Sequence, residues 1–192
     1  MENKNLDVFN LELSTAINTV DKKRVNETIQ CILSTYNTDR TIYIVGNGGS
    51  ASTAAHFAAD LSKFATNNKG GFRAFDLVSN YSLHTAWTND SCWEETWSNM
   101  VHNLLREDDI VVLFSVNGGG DFSNNLVKLI DIAHKKKVIS IGFAGGDGGL
   151  FSTKCDIPVI VPIKNNELKT PVVESVHVCL HHLICNEIKK AL

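Results

Sequence analysis

His56 and Asp60 are the first residues of this sequence whose types and spacing indicate chemistry. The run ASTAAHFAADLSKF (51–64) that contains them is typical of a helix, and residues four apart on a helix share one face. An imidazole and a carboxylate on one face can both reach a metal ion or a sugar carbon. Taken singly, each has an ordinary alternative: a hydrogen-bonded core histidine, and a solvated helical pair of Asp60 with Lys63.

The last predicted helix, 171–190, carries the second set of chemical residues. It begins at Pro171, and Glu174, His177 and His181 follow at i, i+3 and i+7 spacing, which places them on one stripe. His182 lies beside that stripe. Spacing alone therefore favours His181 over His182 as the partner of Glu174.

A glycine-rich turn, VGNGGS (45–50), leads from a β-branched run into the helix of His56. Backbone N–H groups at a helix N-terminus converge on an anion such as phosphate. Gly48 and Gly49 let the backbone approach closely, and Ser50 adds a hydroxyl donor. A tight turn that binds nothing fits the composition equally well, because neither GxGxxG nor GxxxxGK is present.

A second turn of this type, SVNGGGDFSNN (115–125), follows another apolar run and precedes another helix. Both turns lie at the carboxyl ends of predicted parallel strands, where open α/β folds bind their ligands. Two such turns favour a phosphate-binding function. A third glycine cluster, AGGDGG (144–149), is interpreted as a connecting turn.

The elements that must position these residues are short β-branched runs separated by helical patterns. Runs that are apolar on both faces indicate a parallel sheet with helices on each side, hence an α/β fold. Asp21 is a candidate cap between two N-terminal helices in 5–37. Four strands are predicted at 41–46, 109–115, 137–144 and 157–163, and a fifth at 71–77.

Length, composition and charge restrict the class of protein. A chain of 192 residues with 43% hydrophobic content predicts a single domain, 1–192. A formal charge of −3 gives no basic excess for nucleic acid. Five cysteines without a CxxC pair indicate reduced thiols. No apolar run is long enough for a membrane span and no signal-peptide pattern is visible, so we expect a soluble cytoplasmic protein.

Taken together, these motifs resemble a sugar-isomerase (SIS) domain of the phosphoheptose isomerase type. The resemblance covers nearly the whole chain in the right order. It implies a three-layer αβα sandwich around a five-stranded, flavodoxin-like parallel sheet, and a homotetramer with sites between subunits. It rests on GNGGSASTAAHFAADLSK (46–63), TAWTND (85–90), the second loop, the GGDGG turn and VESVHVCLHHLI (173–184).

The same resemblance assigns substrate contacts in four segments. The second loop departs from the usual pattern, since it is longer and has Val116 and Asn117 where Thr and Ser are usual. This departure bears on the shape of the substrate. The implied contacts are Asn47, Gly48, Gly49, Ser50, Asn89, Asp90, Ser115, Val116, Asn117, Ser123 and Glu174.

The resemblance also implies one zinc ion per subunit. The family pattern has His and Glu where this chain has His56 and Asp60, and Gln and His where it has Glu174 and His182. The implied zinc ligands are therefore these four residues. We follow this register, with His181 as a competitor for His182.

The predicted function is conversion of sedoheptulose 7-phosphate to D-glycero-D-manno-heptose 7-phosphate through an enediol. Asp60 or Glu174 would remove the carbon-bound proton and His182 would act on oxygen or in ring opening. Three alternatives stay open: an isomerase of another phosphosugar, a non-catalytic SIS module that binds a phosphosugar or a replication-initiator protein, and a structural protein without a ligand.

Overall fold

Strands and helices alternate along residues 4–192, the part of the chain that the computed structural model describes; residues 1–3 of the predicted domain lie outside it. The strands are β1 (Thr41–Gly46), β2 (Arg73–Asp76), β3 (Ile110–Ser115), β4 (Ile139–Gly145) and β5 (Ile157–Val161). The helices are α1 (Lys4–Thr19), α2 (Lys22–Leu33), α3 (Gly49–Ser62), α4 (Tyr81–Asp90), α5 (Thr96–Val101), α6 (Asn124–Lys135), α7 (Phe151–Lys154) and α8 (Lys169–Ala191).

The five strands form one parallel sheet in the order β2-β1-β3-β4-β5. The fifth strand predicted at 71–77 is present as β2, so the predicted five-stranded sheet is confirmed. The strand order reverses between β1 and β3, where Ile44 pairs with Val112. Because α3 and α6 leave these two strands toward opposite faces, a crevice opens at their carboxyl ends.

Helices cover both faces of the sheet, which explains why the strands are apolar throughout. Val112 and Phe114 of β3 pack with residues of α1, α2, α3 and α8, whereas Val111 and Leu113 pack with residues of α5, α6 and α7. Every residue of β1 and β3 is buried. The three-layer αβα sandwich is therefore confirmed.

Helices α2 and α8 begin close to the positions that the sequence predicts. Asp21 caps α2, its carboxylate accepting from the Lys23 amide at 2.8 Å, as predicted. Helix α8 begins at Lys169, two residues before Pro171. A proline in the first helical turn removes no intrahelical hydrogen bond, because the N–H groups there have no partner in the helix. Among residues 4–192, no helix combines the length and apolarity that crossing a membrane requires.

Candidate active site

The turn between β1 and α3 depends on the backbone conformation of Gly48. Its φ of 57° and ψ of −126° lie in a region that side chains rarely adopt, although a Cβ there would meet nothing within 4 Å. The amides of Ser50 and Ala51 donate to the carbonyls of Asn47 and Gly48 at 3.1 and 3.0 Å. The side chain of Ser50 is buried, so it packs inside the turn.

Glu174 of α8 lies against the first turn of α3. A Cβ on Gly49 would stand 2.5 Å from its Oε1, so the carboxylate sits where the N–H groups of a helix terminus favour negative charge. Glu174 also borders a pocket of about 280 Å³ together with Gly49, Ser52 and His56. A phosphate at this helix terminus would therefore meet a carboxylate.

The AGGDGG turn and the start of α7 form hydrogen bonds with the second loop, 115–123; the Gly145 amide, for example, donates to the Val116 carbonyl at 3.0 Å. Gly118 has a φ of 63°, and its carbonyl accepts from the Phe151 amide at 3.0 Å. The Gly119 amide donates to Ser115 Oγ at 3.3 Å. The third glycine cluster is thus a connecting turn, as predicted, and it also supports the second loop. At the outer side of this loop, Phe122 is 88% exposed.

The side chain of Asn47 ties the two loops together. Its Nδ2 donates to Asn125 Oδ1 at 2.9 Å and lies 3.4 Å from Ser123 Oγ. Its Oδ1 accepts from Trp97 Nε1 at 3.1 Å and from Asn125 Nδ2 at 3.2 Å. Because these protein groups use both ends of the amide, the side chain of Asn47 holds the loops in register.

Loss of this link should destabilise the fold. In Asn125→Leu the half-buried amide of Asn47 loses its two hydrogen bonds to Asn125, and we expect the free energy of unfolding to fall by about 1–3 kcal/mol. Urea unfolding measures the change. Asn124→Leu is the matched control, since the Asn124 side chain makes no hydrogen bond within residues 4–192. Equal stability of the two variants would contradict the role of this link.

Helices α3 and α8 pack side by side and bring four chemical residues together. The predicted residues His56, Asp60 and His182 lie in this group, and His181 joins them. One ligand atom from each lies within 4.8 Å of all the others. Asp60 Oδ2 is at the centre, 3.5 Å from His56 Nε2, 3.6 Å from His182 Nε2 and 3.7 Å from His181 Nδ1. Glu174 is outside this group.

The donor set suits a divalent transition metal. Imidazole nitrogens and a carboxylate oxygen are common ligands of zinc, and a histidine must be neutral to bind it. Burial lowers the pKa of His181 to about 3, with the neighbouring His182 and His56 adding to the shift, so this ring is neutral at ordinary pH. His56 and His182 are half-exposed, which leaves one side of the cluster open.

The predicted substrate contacts Asn89 and Asp90 lie at the end of α4, on the surface of the subunit. Both side chains are exposed, and Asn89 Nδ2 donates to Asp90 Oδ1 at 2.8 Å. Helix α4 has no buried residue; His84 packs on Trp97 with ring centroids 4.5 Å apart. The two residues thus lie on a helix whose His84 packs on Trp97, the residue that donates to Asn47 of the first loop.

The profile of the SIS domain family matches residues 9–145 of the chain. This match spans more than half of the sequence and includes both loops, His56 and Asp60. The chain belongs to the SIS domain family.

The relatives of this chain include phosphoheptose isomerases. It is 32% identical over 168 residues to a phosphoheptose isomerase of Trichlorobacter lovleyi, with 88% of this chain and 82% of the relative covered. It is 34% identical over 160 residues to the lincomycin biosynthesis protein LmbN of Streptomyces lincolnensis, which covers 81% of this chain. The chain spans only 58% of the length of LmbN.

Solved structures of SIS proteins share the fold. The phosphoheptose isomerase GmhA of Neisseria gonorrhoeae superposes with a TM-score of 0.84 at 25% identity, covering 99% of this chain and all of that one. A phosphoheptose isomerase of Francisella tularensis superposes with a TM-score of 0.86 at 22% identity, covering 98% and 96% of the two chains. The second comparison supports the fold alone.

Sequence reasoning missed one part of this SIS site and left another open. The sequence does not reveal the role of Asn125, because an Asn at the start of a helix carries no signal of a partner 78 residues away. For His181 two lines of sequence reasoning differ, because spacing favours it as the partner of Glu174, whereas the family register assigns His182. Both belong to contacts between elements that are distant in sequence.

Proposed function

We propose that this protein isomerises sedoheptulose 7-phosphate to D-glycero-D-manno-heptose 7-phosphate. The convergence of His56, Asp60, His181 and His182 beside the pocket of Glu174 is the observation that carries this proposal. Acid, base and metal-ligating groups beside the first glycine-rich loop support chemistry on a phosphorylated sugar, since such loops are suited to bind phosphate. The phosphoheptose isomerases among its relatives support the choice of substrate.

The cluster fits a bound zinc ion. His56, Asp60 and His182 would hold it, as the sequence resemblance implies, and the position of Glu174 outside the cluster leaves the fourth ligand to be assigned. When bound, the ion would polarise the carbonyl and hydroxyl oxygens of the sugar. The open, half-exposed side of the cluster gives those oxygens a route to it.

Asp60 is our candidate for the base that transfers the carbon-bound proton. In this isomerisation a proton moves between two adjacent carbons, and a carboxylate can take it from one and return it to the other. The family pattern has Gln at the position of Glu174, and an amide cannot accept this proton. Asp60 Oδ2 faces three imidazoles, so Oδ1 is the oxygen assigned to proton transfer.

Two roles were predicted for His182, but one nitrogen cannot hold a cation and a proton at the same time. Its Nε2 is the atom that faces Asp60. We therefore assign His182 to the metal. The second proton, which moves between two substrate oxygens, needs no dedicated residue because hydroxyl protons exchange with water.

The substrate phosphate is assigned to the second loop. Glu174 occupies the N-terminal turn of α3, whereas Ser123 stands directly before α6, a helix of 12 residues. Ser115 and the amides of the loop complete this site, with Val116 and Asn117 shaping it. Gly48, Gly49, Ser50, Asn89 and Asp90 remain proposed contacts for the rest of the sugar.

Metal removal tests the proposal most directly. Chelated protein is expected to lose isomerisation of sedoheptulose 7-phosphate, and one equivalent of zinc per chain should restore it. The measurement is formation of the aldose phosphate, followed by NMR. Full activity in metal-free protein would contradict the zinc mechanism; metal-loaded protein inert with every phosphosugar would favour the non-catalytic binding module.

An isomerase of another phosphosugar is the second candidate. The observation in its favour is the second loop, three residues longer than the usual pattern and carrying the exposed side chain of Phe122. A panel of five- to eight-carbon ketose phosphates distinguishes the candidates by kcat/KM. A preference for a substrate other than the heptose phosphate would select this second function.

We propose a homotetramer with sites shared between subunits, in the cytoplasm, with residues 1–192 as one domain. The assembly is supported by α1, where the apolar side chains of Val8 and Leu11 are 48% and 67% exposed. The location in the cytoplasm is supported by the five cysteines, which are all free thiols. We expect a species of four 21.1 kDa chains in sedimentation velocity, and Leu11→Glu should shift it toward smaller species. A wild-type monomer at micromolar concentration would contradict shared sites.

A further inference from the structure

The distances around Asp60 match those of ligands around one tetrahedral ion. Zinc lies about 2.0–2.2 Å from nitrogen and oxygen ligands, so two ligand atoms of a tetrahedron stand about 3.4 Å apart. Asp60 Oδ2 lies 3.5, 3.6 and 3.7 Å from nitrogens of His56, His182 and His181. Each distance is long for a hydrogen bond. The oxygen thus faces three imidazole nitrogens at nearly the spacing that a shared ion requires.

His181 needs a partner that residues 4–192 do not provide. Its side chain has no exposed surface, and neither ring nitrogen makes a hydrogen bond within the described chain. A buried polar atom without a partner is costly. Its ring lies 4.6 Å from that of His56 and 4.2 Å from that of His182, between centroids. A cation at the centre of the cluster would satisfy Nδ1.

Glu174, the other candidate for the fourth ligand, has a different contact. Its two carboxylate oxygens lie against Gly49 in the first turn of α3, where the helix terminus stabilises them. Its carboxylate is not among the four groups that converge within 4.8 Å. Geometry therefore separates the two candidates.

We propose that His181 is a ligand of the divalent ion, through Nδ1, and that Glu174 is not. The centre then consists of three imidazoles and one carboxylate, with His56 and His182 binding through Nε2 and Asp60 through Oδ2. This inference rests on the metal site of the proposed function. It changes the ligand set implied by the family pattern, in which a Gln occupies the place of Glu174.

The number of histidine nitrogens that bind the ion can be measured in the wild-type protein. Protein labelled with ¹⁵N-histidine and loaded with ¹¹³Cd shows a scalar coupling at each ring nitrogen that binds the ion. We expect three coupled nitrogens, two of Nε2 type and one of Nδ1 type. Two coupled nitrogens, both Nε2, would overturn the proposal, and this result needs no variant that might fail to fold.

Variants test the same assignment by affinity. His181→Gln is expected to weaken zinc binding by on the order of 100-fold or more, since loss of an outer partner of a ligand already costs 10–100-fold. Glu174→Gln should leave zinc affinity unchanged. His177→Gln is the matched control: this histidine on α8 is equally buried, and it lies outside the cluster.

Turnover of sedoheptulose 7-phosphate, measured separately, distinguishes failure of the inference from failure of the proposed function. Three coupled nitrogens in a protein that does not isomerise the sugar keep the inference and reject the function. The inference is rejected and the function kept if the zinc protein is active, shows two coupled nitrogens, and has a zinc affinity that falls in Glu174→Gln but not in His181→Gln. A wild-type protein that binds no divalent ion overturns both.

Discussion

Asp60→Asn is expected to lower kcat for heptose phosphate isomerisation by about 10²–10⁴-fold, the contribution of a positioned general base. The amide has the shape of the carboxylate, so the packing of α3 against α8 should be retained. It carries no charge to hold an ion among three imidazoles and cannot take a carbon-bound proton. Zinc content should fall together with kcat, measured on the same preparation by elemental analysis.

Asp156→Asn is the matched control for this variant. Asp156 also faces a histidine, with Oδ2 lying 3.4 Å from His134 Nε2, but the pair lies at the entrance of β4 and β5, at the opposite edge of the sheet from the loops. Its carboxylate accepts from the Ser140 amide and hydroxyl, so the variant should lose some stability while folded protein retains wild-type kcat and zinc. Wild-type turnover and zinc content in Asp60→Asn would rule out both roles assigned to Asp60.

Gly118→Ala should cause the largest loss of stability among single substitutions in the loops. The residue has a φ of 63°, and a Cβ there would overlap the carbonyl oxygen of Gly148, which is backbone and cannot turn aside. Left-handed strain contributes about 1–3 kcal/mol, and overpacking adds about 1–3 kcal/mol. Urea unfolding at constant m-value measures the sum.

The same loop contains a control glycine two residues away. Gly120 has a φ of −75°, and a Cβ there would meet nothing within 4 Å. Gly120→Ala should therefore change stability by no more than about 0.5 kcal/mol. Because Gly118→Ala separates the second loop from its support, KM for the phosphosugar should rise in that variant alone. Similar stability of the two variants would show that the loop does not rest on Gly148.

The strands and their layer order follow from the sequence. Runs such as 41–46 and 109–115 are apolar on both faces, and only a sheet covered by helices on both sides buries them completely. The resemblance of GNGGSASTAAHFAADLSK to SIS proteins added the five-stranded topology. Asp21 was recognisable as a cap because capping depends on residues within one turn. Each of these features is determined by local periodicity or by a contiguous motif.

The composition of the site was decided by contacts between distant segments. Whether His181 or His182 faces Asp60 depends on how α8 packs against α3, and the packing admits both, because their side chains converge on Asp60 from adjacent positions of the helix. Glu174 lies against Gly49 since a glycine there leaves room for its carboxylate. The sequence by itself determined which residue types were available for chemistry, whereas the tertiary structure decided which of them meet, because spacing along one helix carries no information about the rotation of that helix against its neighbour.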